Sequence, residues 1–291
     1  MSVRAIRLHE PGGLDGLRVE EISIPEPRAG EAIVRVHAAA ITRDELEWPV
    51  DRLPAIPSYE MSGVVEALGS DVADLTLGHA VYALTPFDRD GAAAEYVAVP
   101  AELLAPKPQT IDHVESAVIP LAALSAWQGL FDQGGLRDGE RVLIHGAVGG
   151  VGHLATQLAR WRGAHVIGTA SGARTPEEAG VDEIVDRDRF EEAARVDLVF
   201  DTVGGDALAR SPVALRDGGR IVSVAEELPG ATFFIVEPSR DQLVELAGLV
   251  DAGVVRPSVD SVYPLEQART AFERSMKRGK RGKVVLRIAH D

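Results

Sequence analysis

The segment His145-Gly146-Ala147-Val148-Gly149-Gly150-Val151-Gly152 follows the short apolar run Arg141-Val-Leu-Ile-His145. It leads into Leu154-Ala-Thr-Gln-Leu-Ala-Arg-Trp161, whose apolar residues recur at helical spacing. A buried strand, a glycine turn and a helix in that order predict a β-α-β unit of a parallel sheet. In the G-x-G-x-x-G register the three positions are Ala147, Gly149 and Gly152, so alanine takes the first glycine's place. Gly149 and Gly150 let the backbone approach a pyrophosphate at the start of the helix. There Val151 and its neighbours present free N–H groups, and the helix dipole favours an anion. Gly152 lets the helix pack closely on the strand. The same turn also serves as a plain strand-to-helix connection, and its place in a β-α-β unit is what favours a dinucleotide.

The next strand, Ala164-His-Val-Ile-Gly-Thr169, sharpens the expectation. A fold that prefers NAD carries Asp or Glu at the end of this strand, about 20 residues on, to hold the ribose hydroxyls. Here the stretch continues Ala170-Ser171-Gly172-Ala173-Arg174, with no acid until Glu177. Ser171 offers a hydroxyl, Arg174 a bidentate guanidinium, and Arg187 a second cation from the following loop. Arginine in place of the acid suits the 2′-phosphate of NADPH. For Arg187 a merely solvated side chain is an equal alternative.

Outward from this unit, Val196-Asp-Leu-Val-Phe200 and Arg220-Ile-Val-Ser-Val-Ala225 are further buried strands, and Ser116 to Phe131 and Gln242 to Gly253 are helical. Strands alternating with helices predict a parallel sheet covered on both faces. Residues 1 to about 105 differ. Glu31-Ala-Ile-Val-Arg-Val-His-Ala38, Gly63-Val-Val-Glu-Ala67, Ala80-Val-Tyr-Ala-Leu84 and Glu95-Tyr-Val-Ala-Val99 are short strands punctuated by Gly, Pro and Asp. They predict an all-β module. The tail Gly282-Lys-Val-Val-Leu-Arg-Ile288 returns to β character and is placed to rejoin that module.

The composition is consistent with this and excludes other classes. The chain has 291 residues, enough for about two domains. With 30 Lys and Arg against 45 Asp and Glu, the net charge of -15 disfavours nucleic acid as a partner. Cysteine is absent, which removes disulfides, thiolate nucleophiles and Cys-based zinc sites. No apolar run reaches the roughly 20 residues of a membrane span, and the start, MSVRAIRLHEPGG, has no h-region, so the cytoplasm is the expected compartment. The eight histidines are scattered without a His-Glu-x-x-His pair, and no Gly-x-Ser-x-Gly elbow occurs.

Four segments occur in order, Pro57-Ser-Tyr-Glu-Met-Ser-Gly63-Val-Val, the phosphate turn, Phe200-Asp-Thr-Val-Gly-Gly205 and Arg281-Gly-Lys-Val-Val-Leu286, and the resemblance they carry covers nearly the whole chain. In them the sequence resembles a zinc-free medium-chain dehydrogenase/reductase of the NADPH-dependent quinone oxidoreductase branch. The resemblance implies an α/β protein: a GroES-like β-barrel catalytic domain, residues 1–111 and 255–291, and a Rossmann doubly wound parallel-sheet domain that binds NADP, residues 112–254. Zinc-dependent members carry Cys-His-(Ser/Thr)-Asp-Leu where this chain has Thr42-Arg43-Asp44-Glu45-Leu46, and Gly-His-Glu where it has Ser58-Tyr59-Glu60. The Cys and His ligand positions are thus Thr42 and Tyr59, and no metal is expected.

Without zinc, a hydrogen-bond donor must stabilise charge on the acceptor's carbonyl oxygen, so Tyr59 and Thr42 are the candidate catalytic groups, with Asp44 and Arg43 behind them. A core tyrosine with a satisfied hydroxyl is the competing account of Tyr59. For the cofactor, the resemblance places Ser125 near the nicotinamide. It puts Thr202, Val203, Val224 and Ala225 at the carboxyl ends of two sheet strands, and Phe234 and Val236 in the loop over the ring. Lys283 is implied as a phosphate contact. Thr232-Phe-Phe-Ile-Val236 also suits an edge strand joining two subunits, so a homodimer is expected. The implied activity is hydride transfer from NADPH to a quinone or an α,β-unsaturated carbonyl. Enoyl reduction in a biosynthetic pathway and a non-catalytic NADPH-binding sensor or structural protein are the alternatives.

Overall fold

The structure, a computed structural model, describes residues 2–48, 51–170, 175–192, 195–277 and 279–289. In chain order its strands and helices are β1 (Ser2–Leu8), β2 (Leu17–Ser23), β3 (Glu31–Ile41), β4 (Glu60–Leu68), β5 (Ala80–Leu84), β6 (Tyr96–Pro100), β7 (Ala105–Pro106), α1 (His113–Ala117) and α2 (Pro120–Trp127). There follow β8 (Arg141–His145), α3 (Gly152–Trp161), β9 (His165–Ala170), α4 (Pro176–Ala179), β10 (Glu183–Asp186), β11 (Val196–Asp201), α5 (Gly205–Arg210), β12 (Leu215–Ser223) and β13 (Thr232–Phe233). The chain closes with α6 (Arg240–Asp251), β14 (Val259–Pro264), α7 (Ala268–Met276) and β15 (Lys283–Arg287). The fold is α/β, a GroES-like unit and a Rossmann-like parallel-sheet unit.

The GroES-like unit comprises Met1–Leu121, Pro238–Ala252 and Pro257–Asp291. Its main sheet runs β14-β15-β3-β4-β5-β7, with β6 also on β3, and β1 and β2 form a separate hairpin. The central strand β3 is buried along nearly its whole length. Its side chains alternate between two cores rather than between core and water. Ala32, Val34, Val36 and Ala39 pack with Met61, Val81 and Leu104, whereas Ala38 and Ala40 pack under Val114, Ala117 and Val118 of α1 and the adjoining turn. The small alanines at the end of β3 leave room for that helix. The tail does rejoin this unit: β15 pairs antiparallel with β3, matching Val284 with Ile41 and Val285 with Ala40.

The second unit, Ala122–Glu237 and Gly253–Arg256, holds a six-stranded sheet in the order β10-β9-β8-β11-β12-β13, parallel at every pairing. Its strand β11 is buried at all six positions, as expected of a central parallel strand covered on both faces. The chain passes between the two units at 121/122, 237/238, 252/253 and 256/257, where the expected bounds were 111/112 and 254/255. The whole of α6 groups with the barrel unit, where Tyr82 donates its hydroxyl to the Leu243 carbonyl at 2.5 Å and Arg240 reaches the Leu104 carbonyl at 2.9 Å. Among the described residues, no helix is long and apolar enough to cross a membrane.

Candidate functional site

In the barrel unit, strand pairing gathers residues that lie far apart in sequence. Glu60 opens β4 opposite Ala40 of β3, Lys283 opens β15 one residue before the Ile41 partner, and Thr42 follows directly on β3. The Lys283 ammonium, only 5% exposed, forms an ion pair with Glu60 Oε1 and donates to Thr42 Oγ1 at 3.0 Å. Glu60 is fully buried, and its Oε2 accepts the Leu121 N–H at 2.9 Å. The resemblance implies Lys283 as a phosphate contact; here its ammonium is buried against Glu60 and Thr42.

Glu45, which the sequence reading passed over, completes this cluster. It is 3% exposed; Oε2 accepts the Thr42 N–H at 3.2 Å and Oε1 accepts from Ser58 Oγ at 3.4 Å. Burial pushes its carboxyl up to about 8, and neighbouring Glu60 adds to the rise, while the Thr42 N–H and Lys283 oppose it. Asp44, by contrast, is exposed at the start of the tight 45–47 turn and makes no capping bond with its side chain. Successive side chains on such a turn diverge by about 120°, so burying Glu45 turns Asp44 and Arg43 outward. The acid in this segment that meets Thr42 is Glu45, not Asp44. Only the adjacency in Thr-Arg-Asp-Glu hinted at it.

Tyr59 sits just ahead of β4, after Ser58, whose φ of 64° is uncommon outside glycine. Its ring lies 5.6 Å from Trp48 and 5.3 Å from Phe87, and those two rings meet edge-on at 5.2 Å. The phenol oxygen accepts from Arg52 Nη at 3.0 Å, and the same nitrogen donates to the Phe87 carbonyl at 2.5 Å. Burial raises the hydroxyl's pKa and Arg52 opposes the rise, so the phenol is protonated at neutral pH. Since its oxygen accepts from a guanidinium, its own proton is left to donate. Arg52 carried no sequence signal, because the described residues between Thr42 and Ser58 that bring it to Tyr59 contain neither strand nor long helix.

The residues at the zinc-ligand positions of related enzymes are therefore a hydroxyl held by an ammonium, a phenol held by a guanidinium, and a carboxylate already ion-paired. That donor set does not suit zinc, which takes thiolate, imidazole and unpaired carboxylate. Among the described residues, no group of three His, Cys, Asp or Glu is disposed to hold a metal.

In the parallel-sheet unit, the glycine turn joins β8 to α3 as the spacing predicts. Gly146 adopts φ 74°, and the Gly149 N–H bonds to its carbonyl at 2.8 Å. A Cβ on Gly152 would stand 2.0 Å from the Gly146 carbonyl oxygen, so only glycine starts the helix this close to the strand. Ala147 is tolerated in the first glycine's place because Gly168 of β9 lies opposite it. A Cβ there would meet that of Ala147 at 2.7 Å. Gly149, Gly150 and Val151 remain half-exposed at the start of α3, where the His153 and Ala155 N–H groups bond to the Gly149 and Val151 carbonyls at 3.1 and 3.0 Å. The turn fits an anionic pyrophosphate.

A buried polar chain braces this turn. Thr169 Oγ1 accepts the Gly146 N–H at 3.2 Å and lies 3.3 Å from His145 Nδ1. His145 Nε2 is 2.9 Å from Ser211 Oγ, and that hydroxyl donates to the Ala207 carbonyl at 2.8 Å. The chain closes only if Nε2 carries the proton and Nδ1 accepts from Thr169. Burial, with Arg187 and Arg210 nearby, lowers the imidazole to about 4, so it stays neutral. Thr202 Oγ1 donates to the His145 carbonyl at 2.7 Å from the carboxyl end of β11.

Of the other cofactor candidates, Val203 is exposed beside Thr202, its N–H held by buried Asp201 at 3.2 Å. Val224 and Ala225 follow β12, where the Ala225 N–H donates to Ser223 Oγ at 3.1 Å. Phe234 is half-buried, with its N–H on the Ser223 carbonyl, and Val236 is buried. Arg187 is half-buried on the turn after β10, close enough to bear on His145. Ser125 is buried within α2. Ser171 and Arg174 lie outside the described residues.

Comparisons with known proteins agree with this architecture. A family model for the alcohol dehydrogenase GroES-like domain matches residues 28–109, and one for zinc-binding dehydrogenases matches 179–286. The chain is 32% identical to a probable zinc-binding oxidoreductase, mitochondrial, of Arthroderma benhamiae, over 98% of this chain and 96% of the relative. It is 31% identical to the NADPH-dependent alkenal/one oxidoreductase, chloroplastic, of Arabidopsis thaliana, over 94% of this chain and 77% of the relative. The solved quinone oxidoreductase from Coxiella burnetii superposes with a TM-score of 0.92 at 29% identity, covering 99% of this chain and all of the other.

Proposed function

The chain belongs to the medium-chain dehydrogenase/reductase family of oxidoreductases, and from that premise we propose that it is a zinc-independent reductase of quinones or α,β-unsaturated carbonyls that uses NADPH. The observation that carries the reading is Tyr59: a neutral phenol whose oxygen accepts from Arg52, set among Trp48 and Phe87. Relatives named for quinone and for alkenal/one reduction support the same acceptor class.

NADPH, when bound, supplies the hydride. Ala147, Gly149, Gly150, Val151 and Gly152 would receive its pyrophosphate, and Arg174, Arg187 and Ser171 its 2′-phosphate. Ser125, Thr202, Val203, Val224, Ala225, Phe234 and Val236 are proposed to line the rest of its course. Tyr59 and Thr42 donate hydrogen bonds to the acceptor's carbonyl oxygen, where negative charge builds as hydride reaches the β-carbon of an enone or the quinone ring. The flat aromatic faces of Trp48 and Phe87 suit a planar acceptor. Water supplies the proton that converts the enolate to ketone or completes the hydroquinone.

The test is NADPH oxidation over a panel of quinones and enones. Turnover with at least one acceptor is expected, with Tyr59→Phe lowering kcat by about 10²-fold, the usual loss for one oxyanion donor. Arg174→Ala is expected to weaken NADPH far more than NADH. No turnover with any acceptor, or equal losses for the two cofactors, would overturn the corresponding part.

A further inference from the structure

We infer that Gln128 is a positioning residue for the nicotinamide end of the cofactor: its side-chain amide clamps the main chain of Glu237 and so fixes the segment that carries Phe234 and Val236. This rests on the reading above, in which that segment lies over the ring.

The clamp pairs a side chain with a backbone across 109 residues of sequence. Gln128 Nε2 donates to the Glu237 carbonyl at 2.8 Å, and Gln128 Oε1 accepts the Glu237 N–H at 3.0 Å. A glutamine amide offers a donor and an acceptor side by side, and here both groups of one residue's main chain take them. Gln128 is 8% exposed, so water competes little for either bond. Glu237 is one end of a short span whose other end is also tied down: the Phe234 N–H bonds to the Ser223 carbonyl at 3.3 Å, just past the pairing of β13 with β12. Exposure alternates along it. Phe234 is half-buried and Val236 buried, whereas Phe233 and Ile235 are exposed, the period of an extended chain with one inward face. Two apolar side chains are therefore held on the inner face by a backbone anchored on both sides of them.

The helix that carries Gln128 is itself fixed to the sheet. At Gln128 the α2 helix passes into a π-helical turn, Gln128–Gln133, a form found mostly where function requires it. The Gly134 N–H bonds to the Gly129 carbonyl five residues back at 3.0 Å. Gly129 lies against the Phe200 ring of β11, where any Cβ would collide with it. Ser125, proposed to lie near the nicotinamide, precedes Gln128 by three residues and so shares its side of the helix. Without the clamp, the segment would hold its closed form only part of the time. Apparent cofactor affinity then falls by that fraction, and hydride transfer suffers because it depends steeply on alignment. The glycine turn and the groups proposed for the 2′-phosphate serve the other end of the cofactor and keep their contacts.

Gln128→Met tests the assignment, since it keeps the length of the side chain and removes both bonds. The first measurement needs no turnover: calorimetric titration with NADPH and with 2′,5′-ADP, which has the 2′-phosphate but no nicotinamide. NADPH affinity is expected to fall about tenfold, the combined worth of two neutral hydrogen bonds, while 2′,5′-ADP binds as it does to the wild type. Equal losses for the two ligands, as a general weakening of the unit would give, or no loss for either, overturn the proposal. So does a wild-type chain that binds NADPH no more tightly than 2′,5′-ADP, because the ring then makes no contact for the clamp to hold. The second measurement is kcat at saturating NADPH, expected to fall by up to about 10²-fold in Gln128→Met. Adding Gln128→Met to Phe234→Ala should lower kcat little beyond Phe234→Ala alone, as for residues that act through one another. Unchanged kcat in Gln128→Met, or losses that simply multiply in the double variant, overturn the role through that segment. A wild-type chain that turns over no acceptor defeats the activity reading instead, and the two titrations still decide the clamp.

Discussion

Glu45→Gln isolates the energetic consequence of burying an acid beside Glu60. The folded carboxyl titrates near 8 against an ordinary 4.5 because it is enclosed in the barrel, and the Thr42 N–H and Lys283 only partly offset that burial. Between pH 4.5 and 8 the unfolded chain has released this proton and the folded chain still holds it. Stability is therefore fully present below pH 4.5, falls as pH rises through the window, and levels off above 8. Each pKa unit is worth about 1.4 kcal/mol, so the whole window withdraws roughly 5 kcal/mol, of which roughly 3 is gone by pH 7. Glutamine keeps a carbonyl oxygen for the Thr42 N–H and for Ser58 Oγ but does not ionise. Urea unfolding of both proteins at pH 5, 6.5, 8 and 9 supplies the assay. The wild type should lose ground to the variant steadily from pH 5 to 8 and no further from 8 to 9. Parallel stability curves would refute the reasoning, because they would mean that Glu45 titrates alike in both states.

The opposite slope is expected from His145, whose pKa is depressed to about 4: its contribution of roughly 3 kcal/mol is present above pH 6.5 and lost as pH falls toward 4. His145→Gln should remove that acid-side slope in the same unfolding series. Gly152→Ala places a methyl 2.0 Å from the Gly146 carbonyl; the turn must open, at a cost of about 1–3 kcal/mol. NADPH affinity measured by fluorescence titration should fall by about tenfold or more, with the barrel unit still folded. The β13 edge exposes Phe233 and, just beyond it, Ile235 at 68%, an apolar edge that favours pairing with a second copy. Ile235→Lys should shift a dimer to monomer in sedimentation velocity, and a wild-type chain that sediments as monomer at all concentrations would remove this expectation.

Two kinds of information set what was legible in the sequence. The parallel-sheet unit was legible because its signals are local. The strand, glycine turn and helix from Arg141 to Trp161 are contiguous, Gly152 is required by the Gly146 carbonyl six residues before it, and Gly146 by its own φ of 74°. The return of the tail to β character was legible for the same reason, since Lys283 to Arg287 is a continuous apolar strand with polar ends. What the tail does there was not. The resemblance implied Lys283 as a phosphate contact, and only the pairing of β15 with β3 showed its ammonium against Glu60, 223 residues earlier in the chain. Asp44 and Glu45 are chemically alike and adjacent. The choice between them depended on which way a three-residue turn faced, a matter fixed by packing against Ser58 and Thr42.

The sequence by itself determined the order of the two units and the place of the glycine turn, because each is a property of residue identity and short-range spacing; the reading of Thr42 and Tyr59 against ligand positions came from the resemblance. Tertiary structure alone decided which charges meet. Burial side by side made Glu45 a neutral acid, tied Lys283 to Thr42 and Glu60, and set Arg52 on Tyr59. Electrostatic character in an interior depends on distance and solvent exclusion, and neither is written in linear order.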